Sequence, residues 1–220
     1  MAPPKTSQLL ETLVHAATAI VEERGRREVT LRSVAERVTA DVRRISHTAA
    51  FAHVSGQLEL LTHVAAGGWA RLLIDLEEAA AVEAPTDRLV ELGVRYRRFA
   101  AAHPNLFRVM YDEEMWARIG ETAITASDGG ESPPVRRSTF KQPQILTRVR
   151  EHRDQAFGLF ALAVDQGIRE GVLRDASVML MARSVAALAN GLAMEALDER
   201  LPEGEVRPIL QIAVGRLMVR

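Results

Sequence analysis

Apolar residues recur along this chain at steps of three and four, and the stripes they draw predict a succession of helices. The first runs from about Ser7 to Arg24, where Leu10, Leu13, Val14, Ala17, Ile20 and Val21 share one face. Thr6 or Ser7 suits its start, and Gly25 suits a left-handed C-cap. Thr30 caps a second, short helix carrying Leu31, Val34, Ala35 and Val38. A third covers about Arg44 to Ala52. After the break at Val54-Ser55-Gly56, a long helix runs from Gln57 to about Val82 on Leu60, Leu61, Val64, Ala65, Leu72, Leu73 and Leu76. Thr86 caps the next, from Asp87 to about His103, with Leu89, Leu92, Tyr96 and Phe99 inward. Pro104 begins an aromatic- and Met-rich helix through Leu106, Phe107, Met110, Tyr111, Met115 and Trp116. Three more follow, from about Gln144 to Glu170, Asp175 to Arg200, and Arg207 to Val219, with Pro208 in the first turn of the last.

The stretch from Thr125 to Pro143 breaks this pattern. It is polar and turn-rich, and predicts a flexible loop. No alternating strand pattern and no internal repeat is visible. The pattern therefore predicts an all-α protein of about nine helices. A small head made by the first three, residues 1–56, precedes a larger apolar body, residues 57–220.

Composition supports helix and narrows the chemistry. Of 220 residues, 47% are hydrophobic and only 5% aromatic, so the core is built of Ala, Leu and Val. There are no cysteines, which removes disulfides, thiol nucleophiles and thiolate zinc sites. The six histidines are scattered and form no His-x-x-x-His or Glu-x-x-His pair, and neither a phosphate loop nor a nucleophile elbow is present. An enzyme, a metal and a cofactor are not expected. No apolar run approaches the ~18 residues that span a membrane, and no signal peptide is visible, which points to the cytoplasm. The net charge of −1 is uninformative, but Arg24, Arg26, Arg27, Arg32, Arg37, Arg43 and Arg44 make one stretch locally basic. Such a stretch suits contact with phosphates, although on charge alone a solvated helical surface is the simpler reading.

Helix, short helix, turn, short helix is the layout of a helix-turn-helix DNA reader. Within it, Val29-Thr30-Leu31-Arg32-Ser33-Val34-Ala35, Ile45-Ser46, Phe51-Ala52-His53-Val54 and Leu60-Leu61 resemble the signature of tetracycline-repressor-type (TetR) regulators. The likeness continues through Arg95–Ala100 and His103–Met110 to Ala189-Asn190-Gly191-Leu192-Ala193, which is similar to the sensor domain of a subgroup with a Trp-His-Gly motif; Asn190 stands where His is usual. The departures lie in the head. Thr39 to Val42 is either an insertion or an extension of the second helix, Arg44 occupies the turn position usually held by Gly, and Gln57 replaces a Lys. Phe51 lacks a phosphate-seeking hydroxyl, and Val54 replaces a Phe.

The resemblance implies a ligand-responsive, DNA-binding regulator, most simply a repressor. Its partners would be double-stranded operator DNA, a small hydrophobic effector and a second copy joined through the last two helices. The candidate DNA-contacting residues are Thr30, Arg32, Arg43, Arg44, Ser46, His47, Thr48, Phe51, His53 and Gln57. For Ser46 the alternative is helix capping, and for Arg43 and Arg44 a solvated turn. For His53, flanked by Phe51 and Val54, a buried interhelical hydrogen bond is the better reading. The candidate effector-lining residues are Tyr96, Phe99, Phe107, Met110, Trp116, Phe157, Phe160, Met181, Asn190 and Met194, each also explicable as plain core. The stripes Val185, Leu188, Leu192, Ala196 and Ile209, Ile212, Ala213, Leu217 suit a four-helix dimer interface. The altered turn motivates a second reading, a ligand-binding or interaction protein that kept the fold and lost DNA recognition.

Overall fold

The computed structural model describes residues 6–41, 52–119, 140–198 and 200–219. Its elements are α1 (Thr6–Arg24), a 3-10 turn (Arg26–Glu28), α2 (Leu31–Asp41), α3 (Gln57–Ala80), α4 (Pro85–Ala102), α5 (Pro104–Met110), α6 (Glu113–Ile119), α7 (Gln144–Arg169), α8 (Val178–Leu197) and α9 (Glu203–Gly215). Among the described residues there is no strand beyond an isolated bridge between Leu173 and Met218. The all-α class is as expected.

These segments are helical because each pairs good helix formers with an apolar stripe that has a place to be buried. In α1 that stripe is Leu13, Ala17, Ile20 and Val21, all fully or almost fully buried. Gly25, at φ 83°, stops the helix in the left-handed region that a side chain would resist. The Thr125 to Pro143 stretch and the third helix at Arg44 to Ala52 lie outside the described residues, except for 140–143 and Ala52.

Four boundaries differ from the sequence reading, each for a local reason. α4 begins at Pro85 rather than behind a Thr86 cap; proline's fixed φ suits the first helical position, and Ala84 is the cap residue. The helix expected from Pro104 through Trp116 is broken into α5 and α6, because the Asp112 carboxylate accepts the Met115 N–H at 3.0 Å and starts a new helix. α8 starts after Ser177, whose hydroxyl accepts the Leu180 N–H, rather than at Asp175. α9 starts at Glu203, which places Pro208 inside it and leaves the Gly204 carbonyl without its helical N–H.

The chain falls into two compact units, residues 1–68 with 105–150, and 69–104 with 151–220. α3 and α7 each contribute to both. In the first unit α1 packs on α2, and the core gathers Leu13, Val34, Val54, Leu60, Val64, Leu106 and Phe107. α3 and α5 come so close at Gly68 that a Cβ there would stand 2.7 Å from the Met110 Sδ. In the second unit α4 packs on α8 and α9 through Leu89, Leu92, Val185, Ala189, Leu210 and Val214. Each fully buried Leu or Val side chain contributes about 1.5–3 kcal/mol.

α8 corrects one expectation. It is long and apolar enough to cross a membrane by length and composition, with a mean hydropathy of 1.2 over its best window. One side of it is nevertheless enclosed by the second unit: Met181, Ala182, Val185, Ala189, Leu192, Ala193 and Ala196 are buried.

Candidate functional site

The head begins with α1 and α2, and what orients α2 is a reciprocal cap. The Thr30 N–H donates to the Ser33 Oγ at 2.9 Å, and the Ser33 N–H donates to the Thr30 Oγ1 at 3.0 Å. The Ser33 hydroxyl also reaches the Glu28 carbonyl at 2.7 Å, which ties α2 to the preceding turn. This is a capping box with Ser in the position usually held by Glu or Gln. A two-pronged ion pair from Arg37 to Glu23, both arms at 2.6 Å, joins α2 to α1. The Arg37 hydrogen bond is the main reason the Glu23 carboxyl sits below its ordinary pKa.

The DNA-contacting candidates therefore divide. Thr30 is exposed, but its hydroxyl is already used in the cap. Arg32 is exposed and paired with Glu36 one turn on at 2.8 Å. His53 is half-buried beside fully buried Val54. Gln57 is exposed at the start of α3, with its amide 3.5 Å from the Arg26 carbonyl. Arg43, Arg44, Ser46, His47, Thr48 and Phe51 lie outside the described residues. The structure does resolve one open question: α2 runs through Asp41, so Thr39 to Asp41 lengthen the second helix, with Thr39 bonding back to the Ala35 carbonyl at 2.8 Å.

Sequence reasoning missed a heavily bonded buried side chain of the first unit. Glu59, in the first turn of α3, is fully buried. Its carboxylate accepts the backbone N–H groups of Ser55 at 2.6 Å, Gln142 at 2.7 Å and Lys141 at 3.1 Å. It ties the start of α3 to the segment that leads into α7. No periodicity announces this, because two of its partners are 82 and 83 residues away; an acid between Leu58 and Leu60 was the available signal. One turn on, His63 is buried, and its Nε2 has no partner. Burial, chiefly, lowers its pKa; nearby Arg148 adds to this and Glu59 opposes it.

The effector-lining candidates are shared between the two units. Phe107, Met110 and Trp116 are buried in the first, where the Trp116 indole donates to the Met110 carbonyl at 2.9 Å and Phe107 stacks on Tyr111 at 4.8 Å. Tyr96, Phe99, Phe160 and Met181 are buried in the second, and Phe157 is half-buried. Asn190, on α8, keeps a buried Oδ1 without a hydrogen-bond partner. Buried carbonyl oxygens are nearly always paired, so this atom is open to a donor from outside the described residues. Met194 is 45% exposed, on the outward side of α8.

Together these elements have the fold of TetR-type transcriptional regulators. Across 96% of both chains it is similar, at 23% identity and a TM-score of 0.71, to a Rhodococcus sp. RHA1 protein described as of unknown function. The TetR-family regulator PfmR of Thermus thermophilus matches over 96% of both chains at 17% identity and a TM-score of 0.61. The regulator FadR of Bacillus subtilis, solved with stearoyl-CoA, matches over 94% of this chain and 96% of its own, at 10% identity and a TM-score of 0.61. A scan of protein-family models and a search of curated proteins both find no match.

Proposed function

We propose that this protein is a ligand-responsive DNA-binding transcriptional regulator, acting as a repressor, with a reading head in residues 1–56 and an effector and dimerisation body in residues 57–220. The observation that carries this reading is a TetR-type fold over nearly the whole chain, combined with the motif residues Val29–Ala35, Ile45-Ser46 and Phe51–Val54 at head positions. Arg43, Arg44, Ser46, His47 and Thr48 would supply base and phosphate contacts, and Gln57 a neutral backbone contact. The effector would be small and mainly apolar, held among residues such as Tyr96, Phe99, Phe160 and Met181 and oriented by Asn190. The Bacillus subtilis FadR, solved with stearoyl-CoA, supports an effector with an apolar chain. Such a ligand acts by binding one head spacing better than the other. This reading has no catalytic step and places the protein in the cytoplasm.

The dimer contact belongs to the outward sides of α8 and α9. Of the stripe expected there, Val185, Leu192 and Ala196 are used within the chain. Half a turn round, Leu180, Ser184, Ala187, Gly191 and Met194 form a second, exposed line of apolar and small residues. Leu180 is 64% exposed, and on α9 Ile212 is 66% exposed. Small residues let two helices approach closely, so this line suits a twofold four-helix contact.

The alternative, a protein of this fold that has lost DNA recognition, is favoured by two observations. Arg32 is neutralised by Glu36, and Gln57 brings no charge to the start of α3. Fluorescence anisotropy on DNA from the protein's own upstream region, against scrambled DNA and across a salt series, separates the two. The regulator reading expects a clear preference for the upstream DNA, lost in Arg44→Ala or His47→Ala, and a salt slope that falls by roughly 0.9 per phosphate contact removed. Equal binding to both DNAs with a shallow slope would establish the alternative.

A further inference from the structure

The first unit contains a cleft of about 430 Å³ that the regulator reading does not use. Its walls are the 3-10 turn after α1, the first turns of α3, and α6. The floor is apolar: Leu61, Met115 and Phe140 are buried beneath it. The rim is basic. Arg26 is engaged by Asp112 and by Glu114, the latter at 2.8 Å. That bond is the main reason the Glu114 carboxyl sits below its ordinary range, with smaller contributions from Arg118 and Arg27, so three guanidinium groups face the two carboxylates of Asp112 and Glu114. Arg27 and Arg118 are different. Both are exposed, and neither closes a hydrogen bond or ion pair among the described residues.

We propose that this cleft binds a small amphipathic anion, with a carboxylate or comparable oxyanion between Arg27 and Arg118 and a short hydrocarbon chain on Leu61, Met115 and Phe140. The volume falls within the range of small-molecule sites. A bare inorganic anion satisfies the guanidinium groups but makes no contact with the apolar floor. A neutral alcohol covers the floor but leaves the guanidinium groups without a partner. Only a molecule with both parts satisfies both, because a guanidinium–carboxylate contact is a strong charge-assisted hydrogen bond and the floor adds close apolar contact. The proposal stands independently of DNA recognition. It also differs from the apolar effector proposed above, which needs neither arginine.

Isothermal titration calorimetry of the full chain with octanoate, octanol and acetate tests it, on the wild type and on the Arg27→Glu/Arg118→Glu double variant. Both substitutions are on exposed side chains, and far-UV circular dichroism checks that the variant keeps its fold. The wild type is expected to bind octanoate about tenfold or more tighter than octanol, and tighter still than acetate. The double variant is expected to lose that preference and bind octanoate no better than octanol. The proposal is overturned if the wild type shows no preference for octanoate, if acetate alone binds as well, or if the double variant binds octanoate with unchanged affinity, since the last places the anion elsewhere in the chain.

Discussion

Two side chains on one face of α3 set the physics of the first unit at the residue scale. Glu59 has no exposure, and a carboxylate there is tolerated because three backbone N–H groups replace its water. Replacing it by Gln keeps the shape but turns an amide NH₂ towards those donors. Glu59→Gln is therefore expected to lower stability by about 1–3 kcal/mol, seen in thermal unfolding as a melting point lower by several degrees. An unchanged melting point would show that the three bonds are replaceable by water. His63, one turn further, is held neutral by burial, so its folded pKa lies below the usual 6.5. The stability that follows from the neutral ring is present above pH 6.5 and is lost as pH falls from there towards the depressed folded value. Urea midpoints of the wild type should thus fall between pH 7 and 5 more steeply than those of His63→Leu; parallel curves would remove His63 as the cause.

Among the elements, α2 depends most on its cap, because its eleven residues are too few to hold as an isolated helix. Thr30 and Ser33 satisfy each other's N–H groups and anchor the turn at Glu28. Thr30→Ala is expected to cost about 1 kcal/mol, with amide hydrogen exchange in α2 accelerating more than in α1. A uniform change across both helices would instead point to a global loss of stability. The cap is legible in the sequence, since Thr-x-x-Ser before an apolar stripe is a start signal. The division of Pro104 to Ile119 into α5 and α6 is less so. Its apolar positions continue through the break, and only the Asp112 side chain, bonding to the Met115 N–H, starts a second helix.

At the scale of the whole molecule, the proposed function depends on a second copy and on DNA. The outward line of α8 centres on Gly191, where an added Cβ would meet nothing within 4 Å in this chain. Gly191→Arg should therefore leave the fold intact and disrupt close packing against another α8. Light scattering of the purified variant is expected to give the monomer mass where the wild type gives the dimer, and a dimer mass in both would exclude this line from the interface. If the protein reads DNA as a twofold dimer with heads about 34 Å apart, the same variant should also lose specific binding.

The chain's own pattern determined the helical class, the order of the helices and most of their starts, because a three-to-four-residue apolar repeat and its caps are local properties. It also pointed to the head, where Thr30, Ser33 and the basic residues lie close together in sequence. Tertiary structure decided what depends on distant partners. Val185 and Leu192 lie inward while Leu180 and Gly191 lie outward, although all four belong to one apolar helix, because α4 covers only one side of it. Glu59 became the anchor of α3 because the chain brings Lys141 and Gln142 to it from 82 and 83 residues away. Arg26 closes ion pairs with Asp112 and Glu114, while Arg27 beside it closes none among the described residues. Periodicity shows which face of a helix is apolar, but what covers that face, and which charges meet, depends on contacts between residues far apart in the chain.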